Sequence, residues 1–157
     1  AEGGIHQAMV LDCDVHQGDG TAEIFATEPR VTTISIHSRK NYPVRKEKSD
    51  LDVGLADNCT DEAYLDALDE TLARLSDFPQ PDILFYNAGV DPHADDRLGR
   101  LALSDTGLAE RDRRVIRHFL SKGIPVAGVL GGGYSSDIDT VARRHTILHR
   151  VASEFAG

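Results

Sequence analysis

Apolar residues fall into four short runs along the chain, each rich in β-branched or bulky side chains. Runs that stay apolar at consecutive positions are typical of strands buried on both faces of a parallel sheet. We therefore predict four buried strands in a sheet that is covered by helices. Their sequences are AMVLDCDV (8–15), VTTISIHS (31–38), DILFYNAGV (82–90) and IPVAGVL (124–130).

Helical spacing of apolar residues occurs between and after these runs. In the stretch 60–78, leucines recur three and four residues apart after Thr60, which is a suitable N-cap. The stretch 104–123 also has apolar residues at helical spacing. A third amphipathic pattern, 135–157, closes the chain. Alternating strands and helices predict the α/β class, with a parallel sheet flanked by helices. The stretch 39–59 has no clear periodicity and is predicted to be one long loop.

Length, charge and cysteine count limit the classes of function. The 157 residues suffice for one domain with a substantial core. A formal net charge of -9 leaves no basic stripe for phosphates, so no nucleic-acid partner is expected. No apolar run reaches the roughly 18 residues of a membrane span, so no membrane partner is expected either. Cys13 and Cys59 are too few for a disulfide framework and favour a cytoplasmic location, while no pattern indicates an oligomeric state.

Polar side chains cluster where the predicted strands end. Ligands of α/β sheets bind in the crevice beyond the carboxyl ends of the strands, so these residues are candidates for a functional site. All four strands deliver polar groups to that one edge, which is a stronger signal than any single motif. The residues are Asp12, Asp14 and His16 from the first run, Ser35 and His37 from the second, Asn87 and Asp91 from the third, and Tyr134 after three glycines.

Asp14, His16 and Asp91 have the chemistry of a metal site. Asp14 and His16 are two positions apart, so their side chains point to the same side of an extended segment. With Asp91 they would supply three ligands and leave the fourth position of a tetrahedral zinc ion for water. The same donors also suit Fe(II) or Mn(II). The alternatives are hydrogen-bonded turns at each residue, or a phosphate loop at the glycines, although no lysine follows them.

Four segments together resemble the zinc-dependent histone deacetylase superfamily, which includes acetylpolyamine amidohydrolases and bacterial deacetylase-like proteins. They are LDCDVHQGDGTAEIF, VTTISIHSRKNYP, FYNAGVDPHADDRLGRLALS and VLGGGYSSD, in the family's order. Gln17 stands where many members carry a second histidine, and with YNAG (86–89) and DRLG (96–99) it makes the chain look most similar to the class IV branch and its bacterial relatives. The resemblance implies an arginase/deacetylase-type three-layer fold. It also implies that residues 1–157 are the C-terminal portion of a single catalytic domain, so that the fold is incomplete.

The resemblance assigns roles to individual residues. Tyr134 matches the catalytic tyrosine that polarises the substrate carbonyl. The zinc ligands of the family match Asp14, His16 and Asp91. The carboxylates that hold a pair of catalytic histidines behind the metal match Asp12 and Asp19. A structural monovalent-cation site, which would take potassium, is implied at Asp12, Asp14, His16, Ser35 and Ile36.

The tandem histidines themselves are absent, because none of the seven histidines is adjacent to another. The resemblance implies a metal-dependent amidohydrolase that removes acetyl groups from acetylated amines, acetyl-lysine or acetylpolyamine, by metal-activated water. Without the histidine pair, this chain alone is expected to be poorly active or inactive. The alternative is a catalytically inactive truncated module that binds metal or a partner. His118, His145 and His149 lie in helical patterns, where surface or packing roles are expected, and His93 has no role in the family pattern.

Overall fold

A parallel five-stranded sheet forms the centre of the protein. The computed structural model describes residues 4–156. The strands are β1 (Ala8–Asp12), β2 (Val31–Ser38), β3 (Leu51–Leu55), β4 (Ile83–Gly89) and β5 (Val126–Gly131). Their order in the sheet is β3-β2-β1-β4-β5, and each neighbouring pair is parallel. All four apolar runs contain strands, and the predicted α/β class is confirmed.

Four α-helices flank the sheet. They are α1 (Asp19–Phe25), α2 (Asp61–Arg74), α3 (Asp105–Leu120) and α4 (Ile138–Ser153). Helix α3 lies between α2 and α4, and α1 packs on β2. Within residues 4–156, no helix combines the length and the apolar character needed to cross a membrane.

The main core lies between the sheet and the layer formed by α2, α3 and α4. Leu84 and Tyr86 of β4 are fully buried, as are Tyr64 of α2 and Val115 of α3. These positions follow the predicted periods, because strand residues two apart and helix residues three or four apart share a face. The sheet edge that carries the candidate site therefore lies at the end of strands whose residues are packed in this core.

Two helix starts are joined by one carboxylate. Ser104 caps α3, since its Oγ accepts the Gly107 N–H at 3.0 Å. Thr60 stands at the N-cap of α2, as predicted, although its side chain makes no capping hydrogen bond. Asp61 instead reaches across to α3, where Oδ1 accepts the Ser104 N–H at 2.8 Å and Oδ2 accepts its hydroxyl at 2.6 Å.

Three local expectations need correction. The stretch 39–59 is not one loop, because Leu51–Leu55 forms β3 and pairs with the end of β2. Helix α1 was not expected: it has only seven residues, follows Gly18, and has no side-chain cap. Strand β1 ends at Asp12, so Asp14 and His16 lie in the turn beyond the strand.

The β5 side of the sheet is apolar and exposed. Val129 and Leu130 of β5 are 50% and 49% exposed, and Phe85 of the adjacent β4 is 43% exposed. Among residues 4–156 no strand pairs with the far edge of β5. Unpaired parallel edges with apolar side chains are usually covered in native proteins.

Candidate metal centre

Asp14, His16 and Asp91 converge at the carboxyl edge of the sheet. One potential ligand atom from each lies within 4.8 Å of the other two. The Nδ1 atom of His16 is 2.9 Å from Oδ1 of Asp14 and 3.2 Å from Oδ2 of Asp91. The central pairing of β1 with β4 causes this convergence, because Asp14 and Asp91 each lie two residues beyond the end of one of these strands. The structure thus brings together the three predicted ligands, which could hold a single ion.

The turn after β1 is shaped by carboxylates that accept backbone hydrogen bonds. Oδ1 of Asp12 accepts the N–H of Asp14 at 2.9 Å, and Oδ1 of Asp14 accepts the N–H of His16 at 2.8 Å. Oδ1 of Asp91 accepts the N–H of Val15 at 2.8 Å, which ties the β4 end to this turn. These bonds fix the orientation of the carboxylates without a ligand.

One oxygen of the cluster has no hydrogen-bond partner. Asp91 is fully buried, and its Oδ2 atom receives no hydrogen bond from the described residues. A buried carboxylate oxygen without a donor is costly, and native structures usually satisfy it with a donor or a cation. Because this oxygen faces Nδ1 of His16, the donor set fits a divalent metal ion bound between them.

The pKa values show the same excess of negative charge. Burial raises the pKa of Asp91 to about 6 and that of Asp12 to about 7. The hydrogen bond to Asp14 and the nearby Asp91 carboxylate raise the pKa of His16 to about 10. Burial also acts to raise the pKa of Asp14, but the neighbouring His16 outweighs it and holds that pKa below its usual value. Carboxylates around a single imidazole make a site that favours a cation.

Tyr134 stands beside the three converging residues. Its ring packs edge-on against the His16 ring, with 5.8 Å between ring centroids, and the residue is 42% exposed. Burial raises its pKa, and the carboxylates of Asp14 and Asp91 raise it further. The phenol therefore keeps its proton at neutral pH and can donate a hydrogen bond to a molecule that enters the site.

The glycines before Tyr134 let the chain pass close to Asp91. Gly132 has φ +58, and a Cβ atom there would collide with the Asp91 carboxylate. Asp96, which sequence reasoning did not single out, holds the next part of the turn, because its Oδ2 accepts the Tyr134 N–H at 2.8 Å. Its Oδ1 accepts the N–H groups of Leu98 and Gly99 at 2.9 Å each. Asp96 thereby joins the loop after β4 to the loop after β5.

Asp12 and Asp19 occupy different surroundings. Asp12 is next to the converging residues, and its Oδ1 accepts a hydrogen bond from Nδ2 of Asn87 at 2.9 Å. Asp19 begins α1 and is half-buried, and its N–H donates to the carbonyl of Gln17. Their predicted role in holding catalytic histidines stays a prediction.

The predicted monovalent-cation residues lie at the ends of β1 and β2. In the register of these strands Asp12 is opposite Ser35, and Ile36 follows it. The Ser35 hydroxyl is already hydrogen-bonded to Nδ1 of His37 at 2.9 Å, and it accepts the N–H of Gly18 at 3.3 Å. A cation site here stays a prediction.

Two other histidines near this edge, His37 and His93, are held by local partners. His37 is buried beside Ser35. Nδ1 of His93 accepts the Asp95 N–H at 2.9 Å, and its Nε2 lies 3.3 Å from Oδ1 of Asp105. Both ring nitrogens of His93 therefore face groups outside the converging triad.

The comparisons with known proteins agree with this geometry. The histone deacetylase domain matches residues 1–150. The chain belongs to the histone deacetylase family. It is 48% identical over 146 residues to an uncharacterized protein of Picosynechococcus sp., covering 93% of this chain and 49% of that protein. It is 34% identical over 133 residues to histone deacetylase 2 of Arabidopsis thaliana, covering 83% of this chain and 34% of that protein.

A solved structure confirms the deacetylase-type α/β fold. The acetylpolyamine aminohydrolase from Burkholderia pseudomallei matches with a TM-score of 0.77 at 23% identity, covering 94% of this chain and 45% of that one. At this identity the likeness shows the fold alone. This deacetylase-family chain spans half or less of the length of the relatives named here.

Proposed function

We propose that this chain carries the metal-binding and carbonyl-polarising part of a deacetylase that hydrolyses acetylated amines. The observation that carries the proposal is the convergence of Asp14, His16 and Asp91 around a buried oxygen without a hydrogen-bond donor. Family membership implies a metal cofactor in general. Zinc is the proposed ion, with Fe(II) and Mn(II) as the other ions that this donor set suits.

Each of the three proposed ligands offers one atom to the metal ion. When bound, the metal supplies Lewis acidity that polarises the acetyl carbonyl and lowers the pKa of water. His16 offers Nδ1, and Asp14 and Asp91 each offer one carboxylate oxygen on the side of that nitrogen. Because Oδ1 of Asp91 already accepts the Val15 N–H, Oδ2 is the Asp91 oxygen that would bind the ion.

Tyr134 is the proposed catalytic hydrogen-bond donor. As the acetamide carbonyl is attacked, negative charge develops on its oxygen, and a fixed O–H donor stabilises that charge more strongly than it stabilises the substrate. The raised pKa of Tyr134 keeps the phenol protonated for this task. Its ring packs against His16 and the residue is 42% exposed, which supports a role toward a molecule that enters the site from solvent.

Proton transfer is proposed to need groups from outside these 157 residues. The reaction requires a base for the attacking water and an acid for the departing amine. His93 and His37 are engaged with Asp95, Asp105 and Ser35, so neither is placed for this role. We therefore expect the chain alone to bind metal but to deacetylate poorly.

Residence in the cytoplasm, inferred from the free cysteines, is likewise a proposal.

The test joins the chain to the portion of the Picosynechococcus relative that the match leaves uncovered. Zinc content and acetate release are measured for the chain alone and for the fusion, with an acetyl-lysine peptide and with acetylputrescine. We expect both proteins to bind zinc, and we expect only the fusion to release acetate. The substrate that the fusion deacetylates faster identifies the substrate class.

An Asp14→Ala variant of the fusion serves as the control and should lose both zinc and activity. Zinc binding by a fusion that deacetylates neither substrate would instead support the inactive metal-binding module. Failure of the chain to bind zinc would contradict the metal site itself.

A further inference from the structure

Helix α3 buries a full positive charge beneath the candidate site. Arg111 is 0% exposed and is the largest fully buried side chain among the described residues. It lies on the same stripe of α3 as Leu108 and Val115, where an apolar residue would be expected. Burying a guanidinium costs several kcal/mol of desolvation, so its partners show what the charge does there.

The guanidinium has two separate sets of partners. Nη1 donates to the backbone carbonyl of Gly89 at 2.7 Å and to that of Cys13 at 3.1 Å. Nε and Nη2 lie 3.0 Å and 2.9 Å from Oδ1 of Asp112, which also accepts the hydroxyl of Tyr86 at 2.6 Å. One edge of the side chain holds the backbone, and the other edge is neutralised within the core.

The two carbonyls belong to the strand ends that present the ligands. The carbonyl of Cys13 is part of the peptide bond that leads into Asp14, and Gly89 is two residues before Asp91. The two segments touch at this point, because a Cβ atom on Gly89 would lie 2.6 Å from the Cα atom of Asp14. Arg111 therefore bonds to both segments where they are in close contact.

We propose that Arg111 is a positioning residue for the metal site, which fixes the spacing between Asp14 and Asp91 by bonding to both ligand-bearing segments. The inference rests on the proposed function, since it needs the metal site. The guanidinium suits this task because its planar fork reaches two carbonyls and a carboxylate at once. A lysine has one nitrogen, which cannot stand both at the carbonyls and beside Asp112.

The chain offers a matched control in a second buried arginine. Arg144 of α4 has a side chain that is 8% exposed, and it bonds to Asp105 through Nε at 3.0 Å and to Asp95 through Nη2 at 2.9 Å. It donates to no backbone carbonyl of either ligand-bearing segment. Arg144→Lys therefore repeats the chemical change of Arg111→Lys at a similar burial without touching the site.

The experiment measures zinc affinity by chelator competition, the visible spectrum of the cobalt(II) form, and metal-free stability for the wild type and both variants. We expect Arg111→Lys to weaken zinc binding by about 10- to 100-fold and to change the cobalt spectrum. We expect Arg144→Lys to leave zinc affinity and the cobalt spectrum unchanged, even if it lowers metal-free stability as much as Arg111→Lys does. Wild-type zinc affinity in Arg111→Lys, or an equal loss of affinity in Arg144→Lys, would overturn the proposal.

Two further variants keep the test decisive if Arg111→Lys does not fold. Arg111→Met combined with Asp112→Leu removes both buried charges together, so that no charge is left uncompensated. We expect this double variant to bind zinc more weakly than the wild type, as Arg111→Lys does. Tyr86→Phe removes only the hydroxyl on Asp112 and should leave zinc affinity unchanged. A double variant with wild-type affinity would overturn the inference alone, whereas a wild-type chain that binds no zinc would overturn the metal site as well.

Discussion

Two clusters of charged side chains lie close together in the core, and they differ in how their charge is balanced. Around Arg111, one guanidinium faces Asp112, and each of its three nitrogens has an acceptor. Around His16, one imidazole faces Asp14 and Asp91, and one carboxylate oxygen has no donor. The charge of Arg111 is balanced within the protein, whereas the second cluster has more acceptors than donors.

The difference separates structural charge from functional charge. Buried polar groups that serve only the fold are satisfied by their neighbours, because an unsatisfied one costs free energy. A cluster that is short of positive charge persists where something else supplies that charge. We infer that the Asp14, His16 and Asp91 cluster is completed by a divalent ion and that the Arg111 cluster supports it.

The largest effect is expected from breaking the balanced cluster. Asp112→Ala leaves the Arg111 guanidinium buried without its counter-charge, which should lower the free energy of unfolding by about 3 to 5 kcal/mol in urea denaturation. Asp69→Ala is the control, because Asp69 pairs with Arg114 and its side chain is 56% exposed. This substitution should lower the free energy of unfolding by about 1 kcal/mol or less. Equal losses in both variants would contradict the assignment of Arg111 and Asp112 as a structural pair.

The next effect concerns turnover rather than stability. In the catalytically competent fusion, Tyr134→Phe should lower kcat by about 100-fold while zinc content stays unchanged, because the phenol acts on the oxyanion and not on the ion. Tyr42→Phe, at a residue that is 69% exposed, is the matched control and should be fully active. Loss of zinc from Tyr134→Phe would show that Tyr134 belongs to the metal cluster itself.

A smaller effect is expected at the glycine turn that passes over Asp91. Gly132→Ala puts a side chain on a left-handed residue, which costs about 1 to 2 kcal/mol, and pushes Cβ against the Asp91 carboxylate. Zinc affinity should fall together with thermal stability. Gly20→Ala, whose Cβ would meet no atom within 4 Å, should change neither zinc affinity nor fold. Unchanged zinc affinity in Gly132→Ala would show that this turn does not constrain Asp91.

The smallest effect is a pH dependence at His93, whose ring nitrogens face Asp95 and Asp105 and not the members of either cluster. Burial lowers the pKa of His93, Arg144 lowers it further, and the nearby Asp105, Asp95 and Asp61 only partly oppose this. The folded state therefore disfavours protonated His93, so its contribution is fully present above the ordinary pKa of about 6.5 and is lost as pH falls through the lowered folded pKa. Stability measured from pH 7 to pH 5 should fall less in His93→Gln than in the wild type. An equally steep fall in the variant would assign the effect to other groups.

Much of the site could be predicted because it depends on local pattern and a topological rule. The apolar runs identify four strands, and parallel strands bring their carboxyl ends to one edge, so Asp14, His16 and Asp91 are expected near one another. Strand β3 was missed because Asp52 and Gly54 interrupt its apolar pattern, which an outer strand tolerates. Helix α1 was missed because it is short and has no capping side chain.

The supporting residues could not be predicted, because their roles depend on contacts between distant parts of the chain. Arg111 bonds to Cys13, 98 positions away, and Asp96 bonds to Tyr134, 38 positions away. The one available signal was Arg111 itself, a charged residue on the apolar stripe of a helix. Its partners and the unpaired oxygen of Asp91 emerge only when strand register and helix packing are known.

The most direct test of the central claim is the change in unfolding free energy that zinc causes in the wild type and in Asp91→Asn. Zinc at about 1,000 times its dissociation constant should stabilise the wild type by about 4 kcal/mol. Asparagine can keep the hydrogen bond from the Val15 N–H while removing the charged, unpaired oxygen. We therefore expect metal-free Asp91→Asn to be at least as stable as metal-free wild type but to gain little from zinc. Asp95→Asn, the control, should gain as much as the wild type. A wild-type protein that zinc does not stabilise, or an Asp91→Asn variant that zinc stabilises equally, would contradict the claim that this cluster binds a divalent ion.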